Sequence, residues 1–319
     1  MNPAFSVLIF TTLSGAGYGL LTLVALLRMT DAFPAVRWLG FTSLSLALVL
    51  ITIGLMASTF HLGHPERAWR ALSQWRSSWL SREGVMALVT YMPAGLLWLG
   101  WIFWQADNHI MSLLALMSAL GAILTVICTG MIYASLKTIP QWHNVWTVPV
   151  YLMFALMTGA LLCYAISLWF GLPAADGLAV LVLLSLLGAW AVKWSYWQAI
   201  DTTPKSSDIR SATGLAAFAE VRLLDPPHTE ENFLMKEMGY QVGRKHATKL
   251  RRLALLLGGV LPFALTLLAI AAASGPFWIA AVIASLAALS GIAGVFIERW
   301  LLFAQAQHKV TLYYGQPTA

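Results

Sequence analysis

Charged side chains are scarce in this sequence. Asp, Glu, Lys and Arg make up only 10% of its 319 residues, whereas hydrophobic side chains make up 59% and the mean hydropathy is +0.75. Soluble globular domains carry about 25% charged residues. The composition therefore excludes a soluble globular protein and predicts an integral membrane protein.

Cysteine and intramembrane histidine are scarce as well. The two cysteines, Cys128 and Cys163, lie deep in apolar runs and cannot supply the four thiolates that an iron–sulfur cluster needs. No histidine lies in the middle of an apolar run, so no histidine pair faces another span in the way that haem ligation requires. We therefore expect no haem, no cluster and no metal site in this protein.

Eight apolar runs are each about 20 residues long, the length that crosses a bilayer as a helix. They are Phe5 to Leu27, Val36 to Phe60, Val85 to Trp104, Ile110 to Ser135, Val145 to Phe170, Gly177 to Tyr196, Leu253 to Ala273 and Phe277 to Leu302. The sequence thus predicts an all-α, polytopic protein with eight transmembrane helices, in one membrane domain that covers residues 1–319.

Lysine and arginine are divided unequally between the two sides of this arrangement. Seventeen lie on the side of the termini and of the loops after even-numbered spans, and only Arg28 and Arg37 lie on the other side. Because loops rich in Lys and Arg stay in the cytoplasm, we predict that both termini are cytoplasmic. The asymmetry also accounts for the net charge of +6, so nucleic-acid binding need not be invoked.

Residues 61–84, HLGHPERAWRALSQWRSSWLSREG, concentrate charge between the second and third spans. His61 ends one span and Glu83 opens the next, so a short hairpin should bring them together at the membrane edge. A histidine and a carboxylate beside a lipid-accessible cleft suit proton exchange with a quinone. Arg67 and Arg82 can hold Glu83 ionised or orient it. The alternative is structural, with a capped helix end and arginines that reach lipid phosphates.

A second polar and aromatic stretch, YASLKTIPQWHNVW, occupies residues 133–146 after the fourth span. Pro140 fixes a turn there. Its aromatic side chains could line a ring-shaped pocket at the same depth, or they could serve as interfacial belt residues. The candidate site for quinone binding and proton transfer therefore comprises His61, His64, Arg67, Arg82, Glu83, Tyr133, Trp142 and His143.

The segment 201–252 is long and polar, unlike the other loops. Its second half begins with Thr229 and two carboxylates and ends with lysines and arginines, which is the charge order of a capped amphipathic helix. Such a helix either rests on lipid headgroups or docks a cytoplasmic partner. We expect docking, and the candidate contact residues are Arg70, Arg76, Lys236, Arg244 and Lys245.

The stretch HLGHPERAWRALSQWRSSWLSREG, followed by KTIPQWHNVW, resembles the membrane anchor subunits of the dimethyl sulfoxide reductase type. These are eight-helix proteins of the bacterial inner membrane that exchange electrons between quinone and an iron–sulfur subunit. The resemblance places the family's quinol-site histidine on His61 and its glutamate on Glu83. It implies ubiquinone or menaquinone as the bound cofactor. It also implies two partners, a ferredoxin-like four-cluster iron–sulfur subunit and a molybdopterin subunit with a molybdenum bis-pterin guanine dinucleotide.

Two features differ from the best-known dimethyl sulfoxide reductase anchor. That enzyme's catalytic subunits are periplasmic, whereas the charge count here puts the His61 hairpin in the cytoplasm. The long basic loop with FLMKEMGYQVGRKHATKLR looks like that of the cytoplasm-facing, sulfite-oxidising members. We therefore expect a quinone-reducing anchor of a sulfite dehydrogenase, with its catalytic partners on the cytoplasmic side.

Three other functions stay open. An anchor of the dimethyl sulfoxide reductase type would run in the opposite direction and oxidise menaquinol. A transporter or channel would need no redox partner, but the spans show no mid-membrane acid or base and no convincing inverted repeat. A structural tether would have no quinone site, and only the pairing of His61 with Glu83 argues against it.

Overall fold

The computed structural model describes residues 3–60, 62–203, 207–222, 224–225, 230, 238 and 246–314. Within these ranges, eight helices are long and apolar enough to cross a membrane. They are α1 (Phe5–Met29), α2 (Arg37–Phe60), α3 (Trp79–Trp104), α4 (His109–Ala134), α5 (Thr147–Trp169), α6 (Ala175–Thr202), α7 (Ala247–Ala272) and α8 (Phe277–Ala304). The predicted all-α fold with eight spans is confirmed, and the cytoplasmic location of the termini stays a prediction.

Three helices run about one and a half turns beyond the apolar runs in the sequence. The helix α3 begins at Trp79, α6 ends at Thr202 and α7 begins at Ala247. The added turns are rich in polar residues, and long polar side chains there can reach water while the backbone stays helical. The helix α7 therefore takes up residues 247–252, which the sequence assigned to the long loop.

Connections of the even-numbered helices come together at one end of the bundle. We call this end the hairpin face, and the described parts of its three connections are residues 62–78, 135–146 and 207–222. Contacts of the C-terminal turn show the association: the Lys309 amide donates to the Thr138 carbonyl at 3.1 Å. The Tyr313 hydroxyl donates to the Ala212 carbonyl at 2.9 Å. The C-terminal turn thus joins two of the three loops of this face.

A buried arginine links two loops at the opposite end of the bundle from the hairpin face. Arg28, at the end of α1, is 4% exposed and pairs with Asp31 at 2.9 Å and with Asp107 at 2.8 Å. Its guanidinium also donates to the Ala106 carbonyl at 3.3 Å and lies over the Trp101 ring, 5.5 Å from the centroid. Two carboxylates therefore neutralise the buried cation and tie α1 to the loop after α3.

The centre of the bundle is formed by α1 and α5. In their most apolar windows 72% and 78% of the residues are buried, against 33% to 44% in the other six helices. Small residues let the two backbones touch: a Cβ on Gly19 would lie 1.8 Å from the Ala155 carbonyl oxygen. A Cβ on Gly159 would lie 2.3 Å from the Gly19 carbonyl carbon. Close packing of small residues is what holds helices together in lipid.

A π turn at Leu256–Val260 shapes the contact between α7 and its neighbours. The turn shifts the hydrogen-bond register of the helix and so changes which carbonyls are available. The Trp190 indole of α6 donates to the Gly258 carbonyl at 2.8 Å. On the other side, Gly258 meets Gly294 of α8 backbone to backbone. The turn therefore locks α7 between α6 and α8.

Candidate functional site

Glu83 lies in the second turn of α3 and is only 4% exposed. The Thr129 hydroxyl of α4 donates to its Oε1 at 3.3 Å. The helix begins just before Glu83 because the Ser78 hydroxyl caps it and accepts from the Ser81 amide at 3.4 Å. The Ser81 hydroxyl in turn donates to the Ala71 carbonyl in the hairpin. The hairpin is thus tied to the helical turn that carries Glu83.

A column of hydroxyl groups runs from Glu83 deeper into the membrane. Thr125 lies one turn from Thr129 on α4, and its Oγ1 is 3.3 Å from Oγ1 of Thr90 on α3. The Tyr18 hydroxyl of α1 faces Thr125 without reaching hydrogen-bond geometry. All four side chains are buried. Hydroxyl groups both donate and accept, so the column is polar without carrying charge.

A cavity of about 220 Å³ opens beside Tyr18, between α1, α4 and α5. Apart from Tyr18 and Thr22 its wall is apolar. The apolar side chains include Ile123, Val126, Leu152 and Leu156. A pocket with apolar walls and a few polar groups is typical of binding sites for small organic molecules. The cavity therefore places space for a hydrocarbon group next to the hydroxyl column.

Tyr133 and Trp142 belong to a buried aromatic cluster between α4, α5 and α8. The Tyr133 ring stacks on Tyr151 with centroids 5.7 Å apart, and Trp142 meets Tyr133 edge-on at 5.2 Å. The Trp142 indole donates to the Leu302 carbonyl at 2.8 Å. His143, by contrast, is exposed, and its ring contacts a backbone carbonyl of α4 at 2.6 Å. The structure thus separates His143 from the two aromatic residues with which the sequence grouped it.

Arg82 is hydrogen-bonded to the backbone of the hairpin and not to the carboxylate of Glu83. Its Nε donates to the Trp75 carbonyl at 3.0 Å and its Nη2 to the Arg76 carbonyl at 2.7 Å. Its guanidinium also lies over the Trp79 ring, 4.2 Å from the centroid. The sequence predicts that the Arg82 guanidinium orients Glu83. In the structure two of its nitrogens, Nε and Nη2, donate to hairpin carbonyls instead.

The middle of the hairpin forms a 3₁₀ helix at Pro65–Gln74 without a single buried residue. Its carboxylate, Glu66, contacts His64 at 3.0 Å and Arg67 at 3.6 Å. Both partners are more than half exposed. These two predicted site residues therefore face outward at the hairpin face and do not reach Glu83.

Two hairpin arginines predicted to contact a partner are paired with exposed tryptophans. Arg70 lies 5.5 Å from the Trp69 ring centroid, and Arg76 lies 5.6 Å from that of Trp75. All four side chains are exposed. They present cationic and aromatic groups that suit a protein interface. The predicted residues His61, Lys236, Arg244 and Lys245 lie outside the described residues, as does most of the predicted docking helix.

A buried ionic cluster was missed by the sequence reasoning. Lys193 of α6 and Glu298 of α8 are both fully buried, with Nζ and Oε1 2.5 Å apart. Arg299 is 2% exposed, lies 3.4 Å from the second Glu298 oxygen, and covers the Tyr151 ring at 3.6 Å. The charge count had added Lys193 and Arg299 to the cytoplasmic side, although both lie within apolar runs. Glu298, an acid inside the last apolar run, was the signal that could have revealed the cluster.

This cluster also weakens the sequence argument against a transporter, which assumed that the spans hold no buried acid or base near the membrane centre. The cluster lies inside α6 and α8, in the half of each helix that ends at the hairpin face. Ionisable residues within spans are costly and mark functional sites by default. The cluster is therefore a second candidate site beside Glu83.

The start of the long polar loop is ordered by a capping box at Asp208. The Ser211 amide donates to the Asp208 carboxylate at 2.7 Å, and the Ser211 hydroxyl accepts from the Asp208 amide at 3.0 Å. These bonds, together with Arg210, hold the pKa of the Asp208 carboxyl below its ordinary value. The short helix Ile209–Thr213 that follows supplies the Ala212 carbonyl contacted by Tyr313.

Eight apolar helices around a buried carboxylate define a multi-span integral membrane protein. Among the described residues, no group of three or more His, Cys, Asp or Glu could hold a metal ion. The protein belongs to the DMSO reductase anchor subunit (DmsC) family, whose model matches residues 1–316. The family resemblance seen in the sequence is therefore confirmed, and the protein is a membrane anchor subunit of an oxidoreductase complex.

The protein is similar to subunits of two kinds of enzyme, sulfite dehydrogenase and dimethyl sulfoxide reductase. The C subunit of sulfite dehydrogenase from Allochromatium vinosum is 33% identical over 98% of this protein and 99% of the relative. The C chain of anaerobic dimethyl sulfoxide reductase from Escherichia coli is 30% identical over 42% of this protein and 46% of the relative. Its namesake from Haemophilus influenzae is 30% identical over 37% of this protein and 42% of the relative. No solved structure matches the protein.

Proposed function

We propose that this protein is the quinone-reducing subunit of a sulfite dehydrogenase whose catalytic partners lie in the cytoplasm. The observation that carries the proposal is the burial of Glu83. A carboxylate that is 4% exposed, inside a membrane helix and next to the hairpin, serves proton transfer better than it serves stability.

Quinone, when bound, takes up two electrons and two protons as its two carbonyl oxygens become hydroxyls. The residues around Glu83 fit such a molecule. The Thr129 hydroxyl orients one carboxylate oxygen and leaves the other to exchange protons. Tyr18 offers a hydroxyl at the apolar cavity, which has the character required by an isoprenoid tail.

The proposal also includes His61, whose role is inferred from the sequence alone. The helix α2 ends at Phe60, immediately before His61, and the hairpin that follows is bonded to the start of α3. An imidazole ring can hydrogen-bond a carbonyl oxygen of a quinone and exchange a proton with it. Glu83 would then carry protons between this region and cytoplasmic water.

The choice of sulfite rests on the full-length likeness to the C subunit of a sulfite dehydrogenase. Oxidation of sulfite with water to sulfate releases two electrons and two protons, and the reduction of quinone consumes the same numbers. In this proposal the oxidation occurs at molybdenum in one partner, and the electrons pass through the iron–sulfur subunit. The cation and aromatic pairs of the hairpin would contact that subunit.

The test is purification of the tagged protein with its native partners from gently solubilised membranes, followed by sulfite-dependent reduction of a quinone analogue. We expect turnover that a quinone-site inhibitor stops. No activity with sulfite, but quinol oxidation with dimethyl sulfoxide, would replace the substrate and reverse the direction. Solute uptake by vesicles that contain this protein alone would instead support a transporter.

Topology is tested separately with a reporter fused to the C-terminus. A reporter that is active in the cytoplasm agrees with the distribution of Lys and Arg. A reporter that is active only in the periplasm would put the hairpin on the other side, together with any catalytic partner that docks there. That result would contradict the cytoplasmic assignment without removing the quinone site.

A further inference from the structure

The Lys193 and Glu298 pair lies in the halves of α6 and α8 that end at the hairpin face, next to the aromatic cluster that contains Tyr151. Lys193, Trp197 and Asp201 follow one another at four-residue spacing on a single side of α6. Asp201 is half-exposed and forms a two-pronged ion pair with Arg251 of α7, at 2.5 and 2.9 Å. The outer end of this row therefore reaches the hairpin face.

An open cavity of about 290 Å³ leads to this row from outside. Its lining includes Trp197, Asp201 and Arg251, so polar groups stand at its mouth and an indole stands deeper. Trp197 separates the cavity from the cluster, since the Lys193 ammonium lies 5.5 Å from the Trp197 ring centroid. The cluster is thus one aromatic side chain away from a cavity that water can enter.

On its inner side the cluster reaches the surroundings of Glu83. Arg299 stacks on Tyr151, and Tyr151 stacks on Tyr133. Tyr133 lies one turn from Thr129 on α4, and the Thr129 hydroxyl donates to the Glu83 carboxylate. The Tyr151 hydroxyl faces Tyr133 without reaching hydrogen-bond geometry. A series of polar groups therefore extends from the hairpin face to the surroundings of Glu83 through residues of α6, α8, α5 and α4.

Unpartnered polar atoms are concentrated in this series. Among the described residues, eleven buried side-chain nitrogen and oxygen atoms lack a hydrogen-bond partner, and seven belong here. The seven are Tyr151 Oη, Lys193 Nζ, Trp197 Nε1, both Glu298 oxygens, and Arg299 Nε and Nη1. The 2.5 Å contact of Lys193 with Glu298 is an ion pair without good hydrogen-bond alignment. Buried polar atoms of this kind are normally satisfied by internal water.

A role in stability alone does not explain the pair. Burial of two charges costs about as much desolvation energy as their attraction returns, and well-packed apolar residues often do better. The cluster also holds two cations for one carboxylate, which leaves it net positive. Glu298 can gain or lose a proton while the Arg299 guanidinium keeps its charge.

We propose that Lys193 and Glu298 form a proton-transfer site that connects water at the hairpin face with the tyrosines beside Glu83. The Lys193 ammonium gives a proton to the Glu298 carboxylate, which leaves a neutral amine and a neutral acid. The acid releases its proton through internal water toward Tyr151, and the amine takes a new one from the Asp201 side. The inference rests on the proposed quinone function, because proton uptake there creates the demand.

The first test uses the purified complex and two variants. Glu298→Gln removes the exchangeable proton of Glu298 but changes the net charge of the cluster. The double variant Lys193→Met with Glu298→Gln removes the same proton and keeps the net charge of the native cluster. We expect quinone-analogue turnover to fall at least about 100-fold in both, the lower end of the range for lost proton transfer. Small weak acids such as acetic acid should restore it. Asp176→Asn, an exposed carboxylate on the opposite face, is the control and should keep wild-type turnover.

Two outcomes of this test would overturn the inference. Wild-type turnover in the double variant would show that protons take another route. A loss that weak acids do not relieve would show a structural role instead. If the wild-type complex itself reduces no quinone analogue, the proposed function fails, and the assigned role of the cluster fails with it.

A second test needs no variant of the cluster. Hydrophobic carbodiimides react with protonated carboxyl groups inside membrane proteins, and mass spectrometry of the labelled complex locates the modified residue. We expect labelling of Glu298 that increases as the pH falls. A complex labelled at Glu83 but never at Glu298 would show that Glu298 stays ionised, which contradicts a proton-transfer role. This readout does not depend on quinone turnover, so it separates failure of this inference from failure of the proposed function.

Discussion

Replacement of Glu83 by Gln removes the titratable proton of this side chain while its shape is kept. Glutamine has nearly the same size, and its amide oxygen can still accept the Thr129 hydrogen bond, which is 3.3 Å long in the native protein. The change in folding free energy should therefore stay below that of one lost hydrogen bond, about 1 kcal/mol. Loss of a general acid or base typically slows a reaction about 100-fold to 10,000-fold. That range corresponds to about 3 to 5 kcal/mol in the barrier.

The assay is inhibitor-sensitive quinone-analogue turnover by the purified complex, normalised to the molybdenum and iron that copurify with the anchor. Glu83→Gln should lower turnover by at least about 100-fold while metal content stays constant. Asp176→Asn again serves as the matched carboxylate control. Full turnover in an assembled Glu83→Gln complex would remove Glu83 from the mechanism, and the proposed function would lose its main support.

Three further predictions concern packing, docking and pH. Gly19→Ala should destabilise the complex by at least about 3 kcal/mol in thermal unfolding, because the added Cβ meets the Ala155 carbonyl. Gly15→Ala, where nothing lies within 4 Å, should be neutral, and equal effects would refute the close contact. Deletion of residues 229–246 should release the iron–sulfur subunit from membranes, whereas full retention would favour a helix that rests on lipid. Burial lowers the pKa of His308 below its ordinary value of 6.5. Its ring accepts a hydrogen bond from the backbone amide two residues on, so the C-terminal turn should be stable above pH 6.5. The protection of its amides, measured relative to the intrinsic exchange rate at each pH, should decrease as the pH falls through the lowered pKa.

The eight spans were predictable because a bilayer requires about 20 apolar residues for each helix, and the sequence meets this requirement eight times. The ends of α3, α6 and α7 were less predictable. There the helices continue into turns whose polar side chains end the hydropathy signal before the hydrogen bonding ends. Hydropathy reports which residues favour lipid, whereas helix propensity reports which residues favour helical backbone. At the membrane surface a helix can therefore continue after the apolar run has ended.

The candidate site was predictable only in its local parts. The position of Glu83 near a hairpin follows from sequence order, but its contact with Thr129 depends on how α3 and α4 pack against each other. The pairing of Lys193 with Glu298 depends in the same way on the neighbouring positions of α6 and α8. A count of charges by side added Lys193 to the cytoplasmic total, although it lies within the sixth apolar run, because composition does not record which way a helical residue points.

The close contact between α1 and α5 has a consequence for biosynthesis. Of the eight described helices, α1 is synthesised before the other seven, and it is one of the two that the finished bundle encloses most completely. Its glycine surface faces lipid or an insertion factor until residues 147–169, near the midpoint of the sequence, have been made. Assembly of this anchor therefore cannot proceed strictly in the order of synthesis, and the earliest segment must stay free to repack around a helix that arrives much later.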